Sequence, residues 1–147
     1  METLLISLHP RHSQNIFAGK KTIELIMRLP RVKEFCYINR SYPPSFGKIL
    51  IYETLPTASI VGFCDPIDIT VLTSEQWIQQ KSDFCLEAEE IRNYLGDRMG
   101  YGIRIRNPKR IKPISLSTMR EVGILPPQGY RYLNDEMIEK LGVKFND

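Results

Sequence analysis

The sequence predicts an α+β fold in which a mixed, mostly antiparallel sheet curls on itself and carries short helices at its periphery. Five or six short apolar or alternating runs follow one another closely, and helical signals separate only some of them. A length of 147 residues with 42% hydrophobic content supplies enough apolar surface for one ordinary core. One unit is therefore expected over residues 1–147, with a core from about residue 4 to 133 and a last helix over about 135–142. Periodicity alone does not choose the barrel topology.

Leu4 to Leu8 reads as a buried strand, and Pro10 then stands where a first helical residue is tolerated, with Gly19 placed to end that helix. In the next strand Ile23, Leu25 and Met27 alternate with Thr22, Glu24, Ile26 and Arg28, the period of a half-buried strand whose polar face, with Thr22, Glu24 and Arg28, looks into solvent or a cleft. Leu29 to Lys48 carries Pro30, Pro43, Pro44 and Gly47, which predicts a long surface loop with one short strand around Phe35 to Ile38. Strands follow at Ile49 to Tyr52 and Ser59 to Thr70, the second with an edge or a bulge at Pro66. Thr73 and Gln76 have the spacing of a capping box, so a helix is expected from Ser74 with Trp77 and Ile78 inward. Phe84, Ala88, Ile91 and Leu95 make one helical stripe that Gly96 ends. Tyr101, Ile103 and Ile105 alternate with Gly102, Arg104 and Arg106 in the next strand, Ile111 to Leu116 and a turn-rich passage follow, then a strand at Tyr130 to Leu133 and a helix capped by Asn134.

The net charge of +3 permits a phosphate-bearing partner without requiring one. Cys36, Cys64 and Cys85 lack CxxC spacing, which argues against a disulfide framework or a zinc ribbon and for a reducing compartment. The amino terminus lacks the basic start of a signal peptide, and no run approaches the ~20 apolar residues of a membrane helix, so a cytoplasmic protein without a membrane partner is expected. No glycine-rich phosphate loop, HExxH or GxSxG is present. His9 and His12 share a helical turn without a third ligand, a poor metal site that predicts capping or surface roles, and no metal or cofactor is expected.

The segment Gly19-Lys20-Lys21-Thr22-Ile23-Glu24 is the most informative. A lysine beside a carboxylate is either an ion pair or, when desolvated, a base with an acidic partner. The plainer reading is a glycine C-cap followed by basic residues that complement the helix dipole. Arg104, Arg106, Lys109, Arg110 and Lys112 form a basic run suited to phosphates, or an ordinary solvated sheet face. Tyr130 and Tyr132, on one face around Arg131, suit base stacking or cross-strand packing.

Taken together, Leu5-Ile6-Ser7-Leu8 with Pro10, the run Ile16 to Glu24, Ile51-Tyr52 with Ile60-Val61-Gly62, and the closing Pro126-Pro127-Gln128-Gly129-Tyr130-Arg131-Tyr132-Leu133 resemble the ASCH domain family. The resemblance implies a PUA-like, partly closed β-barrel, a cleft bordered by the first helix and the strand after it, and an association with RNA. Some similar proteins deacylate acetylated cytidine and others act on RNA as nucleases; the lysine of their motif falls on Lys21. The catalytic threonine of the deacylating members corresponds to Glu24, a mismatch, and their glutamate has no clear counterpart among Glu75 and the later acids. Where many ASCH sequences carry Glu followed two residues later by Arg, this chain has Ile26, with Arg28 next on that face.

An acid next to Lys21 favours the charged amine, which suits anion binding better than base catalysis and ranks binding above hydrolysis. The leading expectation is a module that binds RNA or a modified nucleotide through Lys20, Lys21, Thr22, Glu24 and Arg28, with Arg104, Arg106, Tyr130 and Arg131 assisting. The alternatives are a small metal-independent hydrolase with Lys21 and Glu24 as its catalytic pair, and a regulatory domain that holds a small metabolite.

Overall fold

The computed structural model describes residues 1–27 and 39–145. Strand β1 (Glu2–Leu8) leads into α1 (Pro10–Phe17), with Pro10 in the first turn, and Gly19 at φ +75° reverses the chain toward β2 (Ile23–Ile26). After β3 (Ser41–Tyr42) come the long strands β4 (Phe46–Glu53) and β5 (Ser59–Leu72), then α2 (Ser74–Ile78), a 3₁₀ turn (Lys81–Phe84) and α3 (Ala88–Leu95). The chain closes with β6 (Gly100–Ser115), α4 (Leu116–Glu121), β7 (Tyr130–Leu133) and α5 (Asp135–Leu141). The strands form one mixed sheet in the order β2-β6-β5-β4-β1-β7, with β3 on β5; β1 and β4 run parallel and the other pairs antiparallel. The sheet curls into a half-barrel with the short helices around it, as the sequence predicts.

Three clusters fill it. Leu4, Ile6, Phe46, Ile49, Ile51, Ile103 and Ile105 pack on the inner face. Leu5, Leu50, Ile60, Phe63 and Leu133 face outward beneath α4 and α5, through Met119 and Ile138. Ile23, Leu25, Leu72, Trp77, Phe84, Ile91 and Leu95 close the end beneath α2 and α3. β1 and β4 are thus buried on both faces, which is why Leu4 to Leu8 reads as a continuous apolar run.

The structure corrects four local expectations. β2 is buried at every residue and not half-buried, because Ile23 and Leu25 enter the Trp77 cluster while Ile26 enters the barrel; Glu24 is buried on the barrel side and does not face open solvent. The stripe from Phe84 to Leu95 is broken: Cys85 adopts the left-handed conformation at φ +55°, and a Glu87/Glu90 capping box starts α3 afresh at Ala88. Tyr101 to Leu116 is one strand up to Ser115, bulged where Asn107 takes φ +53°. The turn-rich passage contains α4, capped by the Ser115 hydroxyl, which accepts from the Thr118 amide at 3.2 Å. Pro66 does sit at a bulge of β5, and the Thr73/Gln76 box caps α2. The strand expected at Phe35 to Ile38 lies outside the described residues, and the described part of the long loop holds β3 and the start of β4. No helix among the described residues is long and apolar enough to cross a membrane.

Trp77 fixes α2 to the sheet: its ring is 1% exposed, its Nε1 donates to the Gly100 carbonyl at 3.0 Å, and its edge meets Phe84 with centroids 5.7 Å apart. A Cβ on Gly102 would fall 2.2 Å from the Trp77 ring, so only glycine fits beneath it. Gly102→Ala is expected to cost about 2–3 kcal/mol in urea unfolding. Gly129→Ala, where a Cβ meets nothing within 4 Å, should be close to neutral.

Candidate functional site

The end of α1 builds the site. The Ala18 amide donates to Gln14 O and that of Gly19 to Ile16 O, and both the Lys20 and Lys21 amides donate to Asn15 O at 2.9 and 3.0 Å. This wrap exhausts the helix-end carbonyls and drives the Lys21 side chain inward beneath α1. Thr22 then donates its amide to Asp83 O at 2.7 Å, and its carbonyl accepts from Ile105, which pins the entry to β2 between the 3₁₀ turn and β6.

Lys21 is 3% exposed and Glu24 9%. The lysine Nζ donates to Phe84 O at 3.0 Å, lies 3.2 Å from Glu24 Oε2 and reaches His12 Nδ1 at 3.3 Å. Glu24 Oε2 has no hydrogen bond of good geometry among the described residues, so the 3.2 Å ion pair with Lys21 is what holds it. Burial pushes the Glu24 carboxyl above its ordinary range, and Lys21 opposes that rise through its charge and its contact. His12 is pushed down to about 4, first by burial, then by the positive charges of Lys21 and Arg11. A neutral imidazole has a single acceptor nitrogen. Lys21 and the Arg11 guanidinium, 3.3 Å from Nε2, therefore cannot both donate to this ring. Arg11 also has Glu90 at 2.8 Å, an ion pair that ties α1 to α3.

Glu24 lines a cavity of about 170 Å³ together with Ile6, Ser7 and Leu8, Leu25 and Ile26, Tyr94, and Gln128 to Tyr130. These residues come from the two ends of the strand order: the cavity sits at the seam where the half-barrel does not close. Among the described residues β2 pairs only with β6 and β7 only with β1, so the seam is bordered by strand edges. The Ser7 hydroxyl donates to Pro127 O at 2.6 Å and its amide to Gly129 O at 2.9 Å, fixing one wall. The Tyr94 hydroxyl accepts from the Met27 amide at 3.0 Å, and burial raises its pKa.

The structure brings Lys21 and Glu24 together, with Glu24 rather than Lys21 facing the cavity. Tyr130 lines the same cavity, edge to face with Tyr132 at 6.4 Å. Lys20 and Thr22 are exposed. Arg104 and Arg106 are exposed on the opposite face of the sheet, because Ile103 is the residue that faces Glu24 across β2 and β6; Arg104 forks onto both oxygens of Asp68. Arg131 donates to Leu125 O at 3.3 Å. Arg28 lies outside the described residues. Sequence reasoning missed Ser7, Tyr94 and Gln128, which only the closure of the sheet brings near Glu24, and placed His12 at the surface or a cap, whereas it leans on Lys21. No group of three or more His, Cys, Asp or Glu among the described residues is placed to hold a metal ion.

A partly closed mixed barrel with a charged seam defines the class of this protein. No protein-family model matches the sequence. A curated relative from Zymomonas mobilis subsp. mobilis, named an ASCH domain-containing ribonuclease, is 29% identical over 145 residues, covering 93% of this chain and 88% of its own length. The crystal structure of ASCH from Zymomonas mobilis matches with a TM-score of 0.77 at 26% identity, over 95% of this chain and 93% of that one. A serine-to-alanine mutant of ZmASCH matches at 0.79 and 27%, over 95% and 94%. Over nearly its whole length this chain is similar to these ASCH proteins in both sequence and fold.

Two stability tests follow from the ion pair and its histidine. The folded state resists protonating His12, so its contribution is complete above the ordinary 6.5 and is lost as pH falls toward about 4. Because water still screens the half-buried ring, the expected loss is about 1–2 kcal/mol, read as the difference between the protein and His12→Gln in urea titrations across that window. Lys21→Met removes the cation that opposes the rise of the Glu24 carboxyl. It should cost about 3–5 kcal/mol at pH 7. A carboxyl raised in the folded state favours folding when protonated, so the variant should recover on acidification from pH 7 to 5 while His12→Gln does not.

Proposed function

We propose that this chain acts on RNA by admitting a single unpaired base, or the base of a modified nucleotide, into the seam cavity, where the Glu24 carboxylate accepts from an amino or imino edge. The observation that carries the reading is a buried carboxylate, held by a lysine, on the wall of a cavity bordered by strand edges. At about 170 Å³ the cavity is smaller than the ~300 Å³ at which drug-sized sites begin, so it suits a base and not a whole nucleotide. An acidic wall repels phosphate and favours N–H donors. Tyr130 and the exposed Gln128 amide offer a ring and a further hydrogen-bonding group at the rim. The family likeness and the name of the Zymomonas relative support RNA as the partner. Lys20, Thr22 and Arg28 belong to this reading as flanking contacts, and a reducing, cytoplasmic setting accords with the free Cys64 and Cys85.

The name of that relative favours a second reading, cleavage of RNA at the same cavity. There the raised Glu24 carboxyl is better placed than Lys21 to take a proton from a ribose 2′-hydroxyl, since Lys21 is enclosed by Phe84 O, His12 and Glu24. The 2′-oxygen would attack the adjacent phosphorus, the bond to the 5′-oxygen would break, and the proton would pass to that leaving oxygen.

Binding of single-stranded RNA should weaken about tenfold or more in Glu24→Gln, the loss of one charge-assisted hydrogen bond. Unchanged affinity in that variant, or no binding by the parent at low salt, rejects the cavity reading. Incubation with total RNA and with acetylated cytidine, with analysis of the product ends, decides between binding and hydrolysis. Cyclic phosphate ends that vanish in Glu24→Gln support cleavage, and release of acetate in place of RNA fragments overturns it.

A further inference from the structure

A second concavity, about 410 Å³, lies on the outer wall of the barrel between β6 and the end of α5. Among the described residues its lining includes four cationic ones, Lys109, Arg110, Lys112 and Lys144, and no acidic one. Outside the groove several described cations meet acids: Arg11 with Glu90, Lys48 with Asp65, Lys81 with Glu87, Arg92 with Glu75, Arg104 with Asp68 and Lys140 with Glu136. In the groove Arg110 lies over the Phe17 ring at 4.5 Å, which commits it to holding α1. Lys109, Lys112 and Lys144 are exposed and make no ion pair or hydrogen bond among the described residues. Three like charges gathered in a concavity without counter-charge concentrate anions there.

The shape selects among anions. Lys109 and Lys112 are three residues apart on β6, about 10 Å along a strand, so they address separate phosphates and not one isolated ion. Ile111, Pro113 and Ile114 supply apolar wall between the charges, against which bases of a flexible strand can pack. A lipid surface would instead need basic and apolar groups on a protruding face.

We infer that this groove is a track for the phosphate backbone of a single RNA strand, separate from the Glu24 cavity. It rests on the RNA reading above and adds to it a second region of contact, independent of base identity.

The test is fluorescence anisotropy of a labelled single-stranded RNA on the full chain, titrated with salt. The variant Lys109→Ala/Lys112→Ala/Lys144→Ala is compared with Lys81→Ala/Arg92→Ala/Lys140→Ala, which removes the same charge outside the groove. The groove variant is expected to bind about tenfold or more weakly, and its slope of log affinity against log salt should fall by about 2, near 0.7 for each single-strand phosphate that no longer meets a cation. Thermal melting by circular dichroism should show both variants folded. Equal losses in the two variants reduce the effect to net charge and overturn the track. An unchanged groove variant, with binding still weakened by Glu24→Gln, overturns the track and leaves the cavity reading standing; no RNA binding by the parent at low salt removes both. Loss of adsorption to phosphatidylserine vesicles with RNA binding intact would assign the groove to membranes and overturn the proposal.

Discussion

A cation and an acid share a nearly dry space at the seam of the half-barrel, and much of the surrounding architecture is arranged to make that tolerable. Removing two charges from water costs several kcal/mol per ion, and attraction at 3.2 Å repays it only with further partners. Lys21 has them in Phe84 O and His12 Nδ1. The Glu24 oxygen that faces the lysine has none of good geometry, so the pair is satisfied on one side only. Burial raises the carboxyl against the opposing charge of Lys21, and that carboxyl stands on the cavity wall.

The two charges are placed by different local devices. Gly19 at φ +75° and the doubly used Asn15 carbonyl aim Lys21 beneath α1, while the β2 to β6 register sets Glu24 opposite Ile103 inside the barrel. His12 joins them because α1 starts at Pro10, which brings its ring over the lysine. A shift of one residue in the β2 register would turn Glu24 out of the barrel and bring an apolar residue to face Lys21.

Much of the fold could be read from the chain because its signals are local. The Thr73/Gln76 box, Pro10, Gly19 and Asn134 mark boundaries with short-range chemistry, and each stands where that chemistry requires. What escaped was set by partners far away in sequence. The pattern of β2 is that of a half-buried strand, yet the Trp77 cluster covers one face and the barrel interior the other, so the depth at which Glu24 is buried does not show in the alternation. The break at Cys85 was hidden because a left-handed cysteine leaves no mark in an apolar stripe, and α4 because Ser115 caps it without an acid three residues on. At the site, the Lys21 and Glu24 spacing was visible, whereas Ser7, Tyr94 and Gln128 meet Glu24 only once β1, α3 and the approach to β7 are assembled.

A sheet that stops short of closure leaves amide and carbonyl groups along its rim, and local partners take up some of them here, the Tyr94 hydroxyl for the Met27 amide and the Gly129 carbonyl for that of Ser7. The side chains set among them, Glu24 and Gln128, give the cavity its polar character. The frame of the barrel and the polar lining of its seam are thus set by different residues. Gln128, which is exposed, can be exchanged while the hydrophobic layers beneath stay intact, whereas any change at Glu24 must also settle the charge of Lys21.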